Sequence, residues 1–325
     1  MREIVITKND AGQRLDKFLQ KSLRLPPALM YRYLRKKRIK RNGQRAAGGD
    51  VLREGDRLSL YIGDEFFEAA PRARHTGFPP PQIIYEDESV LVLNKPQGLL
   101  SHGGPEEDTL INRMLGYLES TGAYDPAAEM SFAPALCNRI DRNTGGIVIA
   151  AKNAETLRII NEKIKNHEVE KSYLCITVGR PKPVEGKIAG FLLKDEAKKQ
   201  VAFYRRPIPG GKTAVTLYRT LETRGPLSLV ECRLLTGRTH QIRVSMAEIG
   251  CPLLGDGKYG RGDVNRRYGE TRQALYSYQL AFPFPTDAGA LNYLRGRVFT
   301  VADVPFRDKY FPAPETPKKI PVKPR

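Results

Sequence analysis

Asp141 lies between Arg139 and Arg142 in the polar segment NRIDRNTGG, directly before Gly145-Gly146 and the apolar run Ile147 to Ala151. A carboxylate so placed is expected to project from a loop at a strand's start, where flanking guanidinium groups would favour the ionised state that a nucleophilic carboxylate needs. Read alone, it is more readily a structural salt bridge. Two further stretches shift that balance. In VEKSYLCITVG, Tyr173 falls on a buried strand with Lys171 two residues before it on the same side. In LLTGRTHQIRVSMAEIG, Thr239 is placed to cap a short helix ending at Gly250. His240 and Arg243 then share one helical face, and Arg238 stands near a helix N-terminus, where phosphate is favoured. A carboxylate, a strand tyrosine and an arginine-bearing helix are an odd set for packing alone.

Other chemistries lack their residues. GDGKYG at 255–260 matches a dinucleotide fingerprint by letter, but it precedes polar RGDVNRRYG instead of an apolar helix. Gly211-Lys212-Thr213 imitates the end of a phosphate loop, yet Arg206 occupies the position of its first glycine. His75, His102, His167 and His240 show no i,i+4 pairing, and no serine sits in GxSxG. Cys137, Cys175, Cys232 and Cys251 are far apart and form no CxxC pair, so they read as buried small apolar residues, without a metal site or a disulfide framework.

The elements that must position these side chains fall into two units. From Arg14 to Tyr61, two short helices, RLDKFLQKSL and ALMYRYLRKK, precede a strand pair with a turn at Asn42-Gly43, and REGD returns a final strand. Residues 63–81, rich in Gly and Pro, read as a linker, and 312–325, with five prolines and three lysines, as a disordered basic tail. Between them, 82–311 alternates apolar runs (SVLVLNKP, GGIVIAAK, SYLCITVG, LSLVECRLL) with helical patterns (TLINRMLGYLES, AETLRIINEKIKN, THQIRVSMAEIG). Continuous apolar strands of this kind are covered on both faces, which gives a mixed α/β or α+β sheet domain.

The chain carries 54 Lys and Arg against 36 Asp and Glu over 325 residues, a formal charge of +18, the balance of a polyanion binder. Residues 1–62 hold 16 of the former and 6 of the latter, and YRYLRKKRIKR is the peak. Arg35, Lys36, Lys37, Arg38 and Lys40 crowd the end of the second helix, which suits phosphates along a groove. A solvated basic face is the alternative. No apolar stretch is long enough for a membrane span and the first residues lack a secretory core, so a cytoplasmic location is expected.

At this point the chain resembles the RluA-type pseudouridine synthases. NRIDRNTGG is similar to the family's HRLDxxTSG, EKSYLCITVG to its KxYxAxVxG strand, and TGRTHQIRVSMAEIGCPLLGDGKYG to its third signature. YEDESVLVLNKPQGLLSH also fits, and the module at 12–62 is similar to an S4 RNA-binding domain. The resemblance implies a catalytic domain with a central, mostly antiparallel sheet beside a small S4-like α/β domain. It implies that Asp141 attacks a uridine so that the glycosidic bond breaks and the freed uracil rejoins through carbon. Tyr173 would pack on the base and serve in proton removal, and Arg243 would pair with Asp141. Arg139 would enter the space vacated by the flipped base, an extrusion that costs a few kcal/mol. The partner is structured RNA, ribosomal in preference to transfer RNA, bound by a monomer with no metal and no cofactor. Asn138 stands where the family has His, Ile140 where it has Leu, and Gly145 where it has Ser. A binding-only RNA or ribosome-assembly protein, or an enzyme of a small anionic substrate, is the competing expectation.

Overall fold

The computed structural model describes residues 1–67, 75, 77–197 and 200–312. Most of the expected linker and all of the expected tail after Pro312 lie outside the described residues. Chain contacts divide into two units. The first comprises Met1–Arg142, Ile147–Glu168 and Pro283–Gly296, and the second Asn143–Gly146, Val169–Phe282 and the chain from Arg297.

The first unit begins with the basic module. Strand β1 (Arg2–Val5) is followed by helices α1 (Leu15–Ser22) and α2 (Pro27–Arg35), then β2 (Ile39–Arg41), β3 (Gln44–Arg45) and β4 (Arg57–Leu60). Both helices are where the apolar spacing puts them: Leu15, Phe18 and Leu19 face inward on one, Met30 and Leu34 on the other, against Ile39, Leu58 and Leu60. Pro27 opens α2, where its missing N–H costs no helical bond. The sheet runs β1-β4-β2-β3. Asn42 (φ 51°) and Gly43 (φ 76°) make the tight hairpin turn that their dipeptide signals. Strand β1 was not anticipated: it is four residues long, and its hold on β4 is a non-local pairing, Arg2 opposite Leu60. Val51 forms only an isolated bridge to Arg14, not a strand.

This module is fastened to later residues of its unit. The buried Asp10 accepts from Ser131 N (3.2 Å) and Ser131 Oγ (2.5 Å), Arg158 donates to the Ala11 carbonyl (2.8 Å), and Met130 packs on the module's core. The rest of the unit contains β5 (Gln82–Glu86), β6 (Val90–Lys95), α3 (Leu110–Ser120), β7 (Ala135–Leu136), α4 (Ala154–Lys165) and, from Ile147 on, β8 (Gly145–Ala151). Thr109 and Asn153 cap the two helices with side-chain oxygens. Strands β6 and β8 are buried along their whole length, β8 as its unbroken apolar run requires and β6 with the polar Asn94 and Lys95 at its end.

In the second unit β9 (Glu170–Val178), β10 (Glu185–Asp195), β11 (Gln200–Tyr204), β12 (Lys212–Arg224) and β13 (Leu227–Leu234) precede α5 (Gln241–Glu248), α6 (Gly262–Tyr268), β14 (Leu275–Ala281), β15 (Val298–Thr300) and α7 (Pro305–Tyr310). The order β11-β10-β12-β13-β9-β14 is antiparallel throughout, with β15 on β14. The first two residues of β8 add a parallel contact, Gly145 opposite Tyr276 and Gly146 opposite Ser277. Strands β10 and β12 were not anticipated; each buries alternate positions only, Ile188, Gly190 and Leu192 on β10 and Ala214, Thr216 and Tyr218 on β12. Cys175 and Cys232, distant in sequence, bring their sulfurs to 3.9 Å across β9 and β13, and Cys137 is half-buried where full burial was expected.

Candidate active site

In the first unit, Asp141 sits half-buried on a turn whose neighbours are tied down one by one. Ser101 Oγ donates to the Ile140 carbonyl (3.0 Å), and Gly98 N donates to the Arg142 carbonyl (2.8 Å). Lys95, at the end of β6 and fully buried, donates to the carbonyls of Leu99 (2.6 Å), Arg142 (3.0 Å) and Pro96 (3.1 Å). Burial pulls its pKa down to about 7, although the negative field of Asp141 works the other way. Asn138, where the family pattern has His, accepts from Ile149 N at 2.9 Å and so extends the β7–β8 pairing. Arg139 and Arg142 are exposed on either side of the carboxylate; Arg142 Nε donates to the Gly98 carbonyl at 3.0 Å. His102 is held below its ordinary pKa by burial and by the charge of Arg139.

In the second unit, Tyr173 is buried on β9, opposite Cys232 of β13 and Ser277 of β14. Lys171 is half-buried two residues earlier, and burial lowers its pKa. Helix α5 starts later than Thr239 capping would have it. His240 is the N-cap, in a left-handed conformation (φ 55°) with no side-chain cap bond. The turn is organised instead by the buried Gln241, whose Oε1 accepts from Thr236 Oγ1 (2.8 Å) and Arg238 N (3.0 Å) while Nε2 donates to the Val215 carbonyl and Thr216 Oγ1. Arg238 is exposed and donates to the Thr213 carbonyl.

Arg243, buried on α5, donates through Nε and Nη2 to the two oxygens of Asp256 at 2.7 and 2.8 Å. Its guanidinium lies 5.2 Å from the centre of the Tyr259 ring, and Tyr259 Oη is 2.8 Å from His240 Nδ1. Arg243 and His240 therefore do converge on one side of the helix start. Burial works to raise the pKa of Asp256, but the bonds from Arg243 and from the backbone N–H groups of Lys258 and Tyr259 outweigh it and hold the carboxyl below its ordinary value. Asp256 belongs to the GDGKYG string that fails as a dinucleotide loop. Asp256, Gln241 and Lys95 were all missed, although a lysine inside the apolar run VLVLNKP is a legible anomaly.

On the basic module, Arg35, Lys36, Lys37 and Arg38 are exposed and Lys40 half-buried. Lys37 adopts a left-handed conformation (φ 57°) that ends α2, fanning these charges around the helix terminus. Arg38 lies 6.0 Å from the Tyr33 ring and Lys40 5.7 Å from the Tyr61 ring. Among the described residues no group of three or more His, Cys, Asp or Glu could hold a metal ion, and no helix is long and apolar enough to cross a membrane.

Comparison with known proteins identifies the family. Residues 89–248 match the model of the RNA pseudouridylate synthase family. The chain is 31% identical over 292 residues to ribosomal large subunit pseudouridine synthase C of Escherichia coli K12, covering 87% of this chain and 88% of the relative. It is 37% identical over 203 residues to ribosomal large subunit pseudouridine synthase D of Borreliella burgdorferi, covering 62% and 60%. The solved structure of human RNA pseudouridylate synthase domain containing 4 shares the fold, with a TM-score of 0.54 over 68% of this chain and 87% of its own, at 24% identity. With its motifs, its sheet and these relatives in agreement, the chain belongs to the RNA pseudouridine synthase family and is an enzyme that isomerises uridine in RNA.

Proposed function

We propose that this enzyme forms pseudouridine at specific sites of structured ribosomal RNA in the cytoplasm, with Asp141 as nucleophile and Tyr173 and Arg243 completing the catalytic set. The observation that supports the reading is the Asp141 turn, a half-buried carboxylate between two exposed arginines in the chain, with Ser101, Gly98 and Lys95 fixing the backbone around it. Such fixing keeps a nucleophile in register with a bond it must attack. Asp141 attacks the flipped-out uridine, the glycosidic bond breaks, and the uracil turns and rejoins through C5 while the proton on C5 leaves. Tyr173 packs on the base and assists that proton's removal. Arg139, Arg142, Arg238 and His240 meet the RNA around the target. The module at 1–62 serves as an S4-like RNA-binding domain through Arg35, Lys36, Lys37, Arg38 and Lys40. Ribosomal RNA is favoured because the relatives that align over most of the chain are named as ribosomal large subunit enzymes.

Ribosomal RNA carrying tritium at uridine C5 tests this. Wild-type enzyme should release tritium, and Asp141→Ala should release none while binding RNA with unchanged affinity. Release by Asp141→Ala at the wild-type rate would falsify the assignment.

A further inference from the structure

The string that follows Asp256 carries charge that the catalytic set does not use. From Lys258 to Arg272 the sequence KYGRGDVNRRYGETR holds Lys258, Arg261, Arg266, Arg267 and Arg272, all exposed. Its acids offset little of this. Glu270 is engaged by Lys309 and Tyr310, each at 2.5 Å, which leaves Asp263 as the exposed acid of the stretch. Arg261, Arg266 and Arg267 have no carboxylate within ion-pair distance among the described residues.

This surface is rooted in the interior. Asn265, buried on α6, donates to the Asp256 carbonyl (3.1 Å) and accepts from Gly255 N (2.7 Å). Asp256 in turn holds Arg243. The basic stretch is therefore tied through Asn265 to the turn that fixes a proposed catalytic arginine. Stabilisation of the helix by its dipole accounts for Arg266 and Arg267 in the last turn of α6, but not for Arg261, which caps the opposite, electropositive end. The three guanidinium groups have no carboxylate partner among the described residues, which leaves their charge for a polyanion to neutralise.

We propose that Lys258–Arg272 is a second RNA-backbone contact surface, distinct from the basic module, which grips phosphates without reading bases. The proposal rests on the RNA-modifying reading above. Planar guanidinium donors match phosphate oxygens, and the exposed positions of the stretch are charged or small, so a polyanionic backbone fits and an apolar partner does not.

The test compares the full chain with Arg261→Ala/Arg266→Ala/Arg267→Ala, whose altered side chains are exposed and make no ion pair among the described residues. Binding of a structured ribosomal RNA fragment is measured across a salt series, alongside KM and kcat for tritium release. The slope of log affinity against log salt should become shallower by about two, since each phosphate no longer neutralised takes roughly 0.7–0.9 from it. KM should rise with kcat unchanged, and replacing the same three residues by lysine should restore the slope. An unchanged slope overturns the proposal, as does failure of the lysine variant to restore it, or a weakening confined to binding of an acidic polypeptide such as polyglutamate. If wild type binds RNA with a steep salt slope that the alanine variant lacks, yet releases no tritium from any RNA, the catalytic reading fails and the contact surface stands.

Discussion

The ammonium of Lys95 lies 3.0 Å from the carbonyl oxygen of Arg142, the residue that follows Asp141 in the chain. With Leu99 and Pro96 it completes three carbonyl contacts, one for each N–H of a charged lysine. A neutral amine has only two such donors. The position of the turn behind the proposed nucleophile is thus linked to a proton in the interior.

Lys95→Met should remove that link and take this donor from the Leu99 and Pro96 carbonyls, each such loss costing about 1–3 kcal/mol where no water replaces it, while the Arg142 carbonyl keeps Gly98 N. The pH dependence has a definite sign. Folding depresses the lysine's pKa to about 7, so between there and its unfolded value the unfolded chain binds more protons, and this group's contribution to stability rises with pH. The unfolding free energy of wild type relative to Lys95→Met, measured in urea, should therefore grow by on the order of 3 kcal/mol from about pH 6.5 to about pH 9.5. A difference that stays flat across that range would mean the ammonium is not desolvated as the geometry requires.

Arg243 and Asp256 form a buried pair, and breaking one by removing a single partner costs roughly 3–5 kcal/mol because the other charge is stranded. Arg243→Met and Asp256→Leu should each lower the midpoint of thermal unfolding, and the double variant should recover part of the loss. Tritium release should not recover with it. Activity returning in the double variant would make Arg243 a stability element alone.

Gly146 has φ 111°, and a Cβ there would stand 2.1 Å from the Ser277 carbonyl oxygen. Gly146→Ala must therefore shift β14 or the strand start next to Asp141, against both a backbone clash and an unfavourable φ. A drop of several kcal/mol in stability in denaturant, or insoluble expression, is expected, whereas Gly122→Ala, at a positive φ in open space, should cost about 1 kcal/mol.

The sequence was legible where one local signal decided the structure. Asn42-Gly43 made its hairpin, Thr109 opened a helix, and the apolar runs at 90–95 and 145–151 became buried strands. It was opaque where a distant partner decided. Thr239 has the right side chain for an N-cap, but Gln241 is drawn to Val215 and Thr216 on β12, and the helix starts after His240. Asp256 looked like part of a weak glycine motif because its partner Arg243 lies 13 positions earlier, across a turn that no propensity encodes. Lys95 was passed over for the same reason, since two of its three carbonyls are near in sequence and the one that ties it to Asp141 is not.

The basic module offers the cleanest separation of binding from chemistry. Arg35, Lys36, Lys37 and Arg38 are exposed at the end of α2, outside the module's core, so replacing all four by alanine should leave the fold intact. Every phosphate these residues cease to neutralise should flatten the salt dependence of RNA binding by roughly 0.7–0.9, about three in slope for the set. KM for ribosomal RNA should rise steeply, while kcat at saturating RNA should hold, because the Asp141 turn is built from other residues. A parallel fall in kcat would show that these charges act on the bound complex and not on its capture, for then the module would be orienting the target uridine and its contacts would strengthen as the base leaves the stack.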